Sequence, residues 1–146
     1  MTAPRSIRFD DSTLERLTAY CLRHQGLSQS SAVALLVEEG LRMDLHPGIV
    51  FRDGPTGRRA SLVAGPDVWE LVRAIRQLRA HEPDVVADEA VSVVAEAVNV
   101  PASAVKTAVA YYSAFPDEID QAIELAEAVE AEAIRQDSRA KELLEA

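Results

Sequence analysis

The sequence is short of the groups on which catalysis and covalent cross-links are built. Its single cysteine, Cys21, has no second thiol to pair with, so no intramolecular disulfide is expected. The three histidines, His24, His46 and His81, are scattered, with no carboxylate pair, metal-ligand spacing, phosphate loop or nucleophile elbow around them. Neither an enzyme nor a metal or cofactor site is therefore expected. No stretch approaches about 18 unbroken apolar residues, and the first residues lack the apolar core of an export signal, so neither membrane insertion nor secretion is expected. A reducing cytoplasm fits a lone cysteine placed on a core stripe. Positive charge is also scarce, and a net charge of −9 argues at first sight against a nucleic-acid partner.

The distribution of that charge changes the argument. With 146 residues and 48% hydrophobic content the chain is globular, with room for one ordinary domain or two small ones. Residues 1–44 hold 5 basic and 6 acidic side chains, residues 45–80 hold 6 and 3, and residues 81–146 hold 4 and 15. The acidity belongs to the last segment, as in chains that bind a basic protein or keep a DNA-binding head from sticking non-specifically.

The first 44 residues read as one strand and two helices. In Arg5-Ser6-Ile7-Arg8-Phe9, Ile7 and Phe9 alternate with Ser6 and Arg8, the pattern of a half-buried ribbon. Asp10, Asp11 and Ser12 offer N-cap oxygens to a helix with Leu14, Leu17 and Cys21 on one stripe. Gly26 stops it, and Leu27-Ser28-Gln29-Ser30-Ser31 opens a second helix with the stripe Val33, Leu36, Val37 and Leu41. A piece near 40 residues buries too little to stand alone, so a second copy is expected. Residues 4–43 resemble the ribbon-helix-helix fold of the Arc and MetJ repressors, through Ser-Ile-Arg-Phe-Asp-Asp-Ser-Thr-Leu-Glu-Arg-Leu and Gly-Leu-Ser-Gln-Ser-Ser-Ala. The resemblance implies a homodimer through the N-terminal strand, with Ser6 and Arg8 reading operator DNA in the major groove. It also implies a phosphate held at the start of the second helix, by Ser28, Gln29, Ser30 and Ser31. Pro4 stands where such families often carry another polar reader.

A boundary falls at Asp44-Leu45-His46-Pro47-Gly48. Ile49-Val50-Phe51-Arg52 and Ala60-Ser61-Leu62-Val63 flank the turn-rich tract Asp53–Gly57, a hairpin signal. Gly65-Pro66-Asp67 caps a helix with Val68, Leu71, Val72, Ile75 and Leu78 on one face. Two further helices, the first with Val91, Val94, Ala95 and Val98 and the second with Val105, Ala108, Val109 and Tyr112, are separated by Asn99-Val100-Pro101, helix-turn-helix punctuation. Trp69 and Tyr112 are expected in the core, and Tyr111 is a candidate for a partner surface.

From His46-Pro-Gly-Ile-Val-Phe-Arg to Tyr111-Tyr112-Ser-Ala-Phe-Pro-Asp-Glu-Ile-Asp the chain resembles the small domains found in VapB-like antitoxins, which are encoded beside PIN-like ribonuclease toxins. It departs from their short Gly-Thr-Arg-Ile-Pro hairpin, carrying Gly57-Arg58-Arg59-Ala60 instead. A DNA contact by this domain would fall to Ser103, Lys106 and Thr107 on its third helix. That surface is poor for reading, and a structural or toxin-contacting role stands beside it.

From Asp117 the chain reads as one long acidic helix, to about Leu144, with the thin stripe Ile119, Ile123, Ala126, Val129 and Ala133 suited to a partner's groove. Its last turns, from Arg139, are expected to fray when free. The resemblance implies that this segment covers a ribonuclease toxin's acidic site, with Arg135 and Arg139 as candidate contacts along with Ile123. Both arginines also read as ordinary surface residues paired with neighbouring glutamates.

The expected architecture is mainly α: a ribbon-helix-helix dimer (1–44), a hairpin plus three-helix domain (45–116) and an acidic partner-binding helix (117–146). The expected function is that of an antitoxin that neutralises a PIN-like ribonuclease toxin and represses its own operon. A free-standing repressor with an oligomerisation or sensing domain is the alternative, and an interaction adaptor without DNA binding is a third.

Overall fold

Local signals in the sequence set most element ends. In the computed structural model, which describes residues 3–146, Asp10 Oδ1 accepts the Thr13 amide at 2.7 Å and starts helix α1, Asp11–Arg23. Gly26, at φ +93°, turns the chain into α2, Gln29–Leu45. Strands β1, Ile49–Gly54, and β2, Gly57–Leu62, pair antiparallel, with Ile49 opposite Leu62 and Gly54 opposite Gly57. Both strands run into the turn-rich tract and leave a two-residue turn, Pro55-Thr56, followed by Gly57 at φ +109°. Asp67 and Glu70 form a reciprocal capping box at the start of α3, Val68–His81. Helices α4, Ala87–Val98, and α5, Ala102–Ala114, bend by 110° across the Asn99–Pro101 turn, within the range of helix-turn-helix units. Asn99 holds the left-handed conformation, φ 55°, and its amide reaches the Ala95 and Glu96 carbonyls. Pro116 opens α6, which continues to Glu145. The turns from Arg139 onward, expected to fray, are helical here, with Lys141 paired to Asp137 one turn back at 2.7 Å.

The chain divides into two compact units, one ending at Leu45 and the other running His46–Ala146. The second has a continuous core. Ile49, Ala60 and Leu62 of the hairpin meet Val68 and Leu71 of α3, Val94 of α4, Val105, Ala108 and Tyr111 of α5, and Ile119 and Ile123 of α6. The first turns of α6 therefore belong to this core. Among the described residues no single helix is long and apolar enough to cross a membrane.

Residues 3–10 carry no regular secondary structure, where the alternation predicts a strand. The expected ribbon pairs two chains, and a strand needs a neighbour for its backbone N–H and C=O groups; one chain offers this segment no edge. Ile7 is accordingly 65% exposed and Phe9 38%.

Candidate functional surfaces

In the first unit α1 and α2 bury Leu17 and Ala32 and leave a larger apolar face open. Leu14, Leu36, Val37 and Leu41 are exposed, and a hollow of about 430 Å³ lies among Phe9, Leu17, Tyr20, Val33, Leu36 and Val37. Cys21 is half-buried on α1. Tyr20 is a feature of this unit that the sequence reading, with Leu14, Leu17 and Cys21 as the stripe, passes over. Its ring stacks on His24 at 4.1 Å, and its buried hydroxyl has no hydrogen-bond partner among the described residues. Its position three residues after Leu17, on the same stripe, is the signal that could have found it.

Ser6 and Arg8 are both exposed in the segment before α1. At the start of α2 the four polar residues expected to hold a phosphate come together. Ser28 Oγ accepts the Ser31 amide at 3.1 Å and Gln29 Nε2 donates to Thr18 Oγ1 at 3.2 Å, which ties α2 to α1. The first amides of a helix have no intrahelical acceptor; with that of Ser31 taken, those of Gln29 and Ser30 remain for an external one. The Asp10 carboxyl is held below the usual aspartate range, chiefly by the Thr13 amide that it accepts.

In the second unit Ser103 and Lys106 are exposed on α5, but Thr107 is half-buried and its hydroxyl donates to the Ser103 carbonyl at 3.0 Å. Lys106 is the only Lys or Arg between Arg79 and Arg135, so this surface offers a phosphate a single cation. Tyr111, expected on a partner surface, is instead fully buried, and its hydroxyl donates to Glu118 Oε2 at 2.7 Å. The burial has a simple cause: α5 turns into α6 at Phe115, and the short joint folds the Tyr111 face inward against the His46, Phe51 and Phe115 rings. Ile123, expected to enter a partner's groove, is also buried, because α6 packs that side of its stripe on α3. Trp69 and Tyr112, expected in the core, lie at its margin with their polar atoms in use: Trp69 Nε1 donates to Asp67 Oδ2 at 3.2 Å and Arg76 donates to the Tyr112 hydroxyl at 2.8 Å.

Most basic side chains of the second unit are paired. Arg59 Nε lies 2.8 Å from Asp67 Oδ2, Arg58 lies 3.3 Å from Asp53 across the hairpin, and Arg52 donates to the Leu62 and Val63 carbonyls at 3.0 and 2.7 Å. Arg73 and Arg76 of α3 reach Glu130 and Asp120 of α6. The Asp120 carboxylate holds the Arg76 guanidinium above its ordinary range, with smaller support from Tyr112. Arg135 bonds Glu132 at 2.7 Å and Arg139 approaches the same carboxylate at 3.9 Å, the paired-surface arrangement that the sequence left open for them. Among the described residues no group of three or more His, Cys, Asp or Glu side chains could hold a metal ion. The chain matches no family model, no curated protein and no solved structure.

Proposed function

We propose that the chain is an antitoxin that also represses its own operon: the first unit dimerises and binds operator DNA, and the second, with α6, binds and occludes a PIN-like ribonuclease toxin in the cytoplasm. The observation that carries the proposal is the uncovered apolar face of the first unit. A pair of helices with Leu14, Leu36, Val37 and Leu41 exposed, and an unpaired segment bearing Ile7 and Phe9 beside them, is half of a core. A second copy completes it when the two segments pair into a ribbon, which turns Ser6 and Arg8 outward to base edges. The amides at the start of α2 then take a backbone phosphate, helped by the helix dipole. Readout is by Arg8 on guanine, with Ser6 as a less selective donor and acceptor.

The charge balance supports one DNA-binding unit. Residues 1–44 are close to neutral, whereas the lone cation Lys106 and the half-buried Thr107, bonded to the Ser103 carbonyl, favour a structural role for α5. Toxin contact falls to the exposed side of α6, with Arg135 and Arg139 beyond the core. A second reading, a free-standing repressor, draws on the burial of Ile123 and Tyr111 and on the pairing of both arginines with Glu132, which leave fewer groups for a toxin.

The experiment is a binding titration against the DNA upstream of the protein's own gene. Arg8→Ala is expected to cost about 1–3 kcal/mol of specific affinity with the dimer intact. An unchanged sequence preference would remove Arg8 from the reader set. In parallel, tagged full-length protein recovered from its native cell should bring down a small ribonuclease that is inactive while bound. Recovery of promoter DNA and no ribonuclease would favour the free-standing repressor.

A further inference from the structure

Helix α6 is 30 residues long, roughly 45 Å at the usual helical rise, but only its first half rests on the unit. From Ala133 to Ala146 every residue is exposed, Leu143 and Leu144 by 79% and 85%. A helical half of that length is marginal in water without a surface to pack on. Beside the supported half lies a groove of about 530 Å³, walled by Ala60 and Trp69 on one side and by Ala122, Leu125, Ala126 and Val129 of α6 on the other. The charges on its rim have partners within the unit: Arg58 with Asp53, Arg59 with Asp67, Glu130 with Arg73, and Glu118 with the Tyr111 hydroxyl. What the groove offers is apolar surface.

The apolar line does not end with the groove. From Ala122 it runs on through Ala126, Val129, Ala133 and Ala140 to Leu143, interrupted by the polar Gln136, and with Gln136 counted the spacings are 4-3-4-3-4-3. A strict seven-residue repeat is the pattern of a helix that winds around another helix. Charge bears on the direction of that pairing. Residues 116–132 carry seven carboxylates and no cation, whereas after Ala133 three cations, Arg135, Arg139 and Lys141, balance three carboxylates, Asp137, Glu142 and Glu145.

We propose that α6 pairs antiparallel with α6 of a second copy, so that the free half of each helix lies along the groove of the other. In this register Leu143 of the partner subunit meets Ala126, beside Leu125, and Ala140 of the partner subunit meets Val129. Glu132, which bonds Arg135 of its own chain, then also faces Arg139 of the partner subunit. Glu130 approaches Asp137 of the partner subunit, but each of these carboxylates has a cation in its own chain, Arg73 and Lys141. The contact is isologous, so both grooves fill at once. Parallel pairing would set the two runs of seven carboxylates side by side. The proposal goes beyond the DNA- and toxin-binding reading and does not rest on it; a toxin on this face of α6 would compete with the second copy.

The test is a pair of nitroxide distances measured by electron–electron resonance on the full chain, with Cys21→Ser as background and one label at Ala133→Cys or Leu143→Cys. In the proposed register residue 133 of each copy lies three positions from its mate, so the 133–133 distance is expected below about 20 Å for helices packed 8–10 Å apart. Residue 143 lies 17 positions from its mate, Ala126, which sets the 143–143 distance at about 27 Å. Val129→Glu is expected to abolish the short 133–133 distance while leaving helix content unchanged. A 143–143 distance below about 20 Å would mean parallel helices and overturn the proposal. So would the absence of a short 133–133 distance, or its survival in Val129→Glu.

Discussion

Removing one oxygen from the second unit separates a core role for Tyr111 from a partner-binding one. Tyr111→Phe keeps the ring, which is fully buried against the rings of His46, Phe51 and Phe115, so almost no apolar contact is lost. What disappears is the hydroxyl bond to Glu118 Oε2 at 2.7 Å. A bond to a charged acceptor contributes about 1.5–3 kcal/mol, but Glu118 is exposed and water replaces the lost donor, which points to a cost of about 1–1.5 kcal/mol. In a unit of about a hundred residues this lowers Tm by roughly 4–12 °C. Tyr111→Ala also removes the ring and should cost about 3–5 kcal/mol. Glu118→Gln in a double-mutant cycle tests whether the two side chains account for the effect together. The assay is urea unfolding followed by the fluorescence of Trp69, the only tryptophan in the chain and a member of the same unit. A Tyr111→Phe loss below about 0.3 kcal/mol would refute the hydrogen-bond argument, and a loss equal to that of Tyr111→Ala would refute the division between ring and hydroxyl. Loss of partner binding with stability unchanged would return Tyr111 to the surface candidates.

Asn99 sits at φ 55°, where a branched side chain is strained, so Asn99→Val should lower stability by about 1–2 kcal/mol in denaturant titration, whereas Asn99→Gly should be tolerated. The Arg76–Asp120 pair is 47% and 40% exposed, so a cycle of Arg76→Gln and Asp120→Asn should give a coupling of about 0.2–1 kcal/mol that falls in high salt; a coupling above about 2 kcal/mol would mean that the pair is desolvated in solution. Asp10, with its carboxyl held below the usual range by the Thr13 amide, stabilises α1 above the ordinary aspartate range and loses that contribution as pH falls through the lowered value. Acid titration of far-ultraviolet circular dichroism should therefore show a loss of helix that Asp10→Asn, a cap without a charge to titrate, does not share.

Much of the fold was legible in the sequence because it is set locally. The hairpin, the caps at Asp10 and Asp67, the stop near Gly26 and the left-handed Asn99 follow from residues within a few positions of one another, and neighbours on the chain are neighbours in any fold. The phosphate-binding candidates are legible for the same reason, since Ser28, Gln29, Ser30 and Ser31 share one helix start. Periodicity also marks which side of a helix is apolar, but it does not say what covers that side. Ile123 and Tyr111 lie on apolar faces that suit a foreign partner as well as they suit the core; packing against α3 and the hairpin decided for the core. Arg73 meets Glu130 across 57 residues of sequence, and Arg76 meets Asp120 across 44, pairings that no local pattern contains. The sequence by itself thus determined the elements, their ends and their charge, because these depend on short-range sterics and composition. The tertiary structure decided which apolar faces were already satisfied and which still lacked a partner, because burial is a property of elements distant in the chain and brought together only by folding.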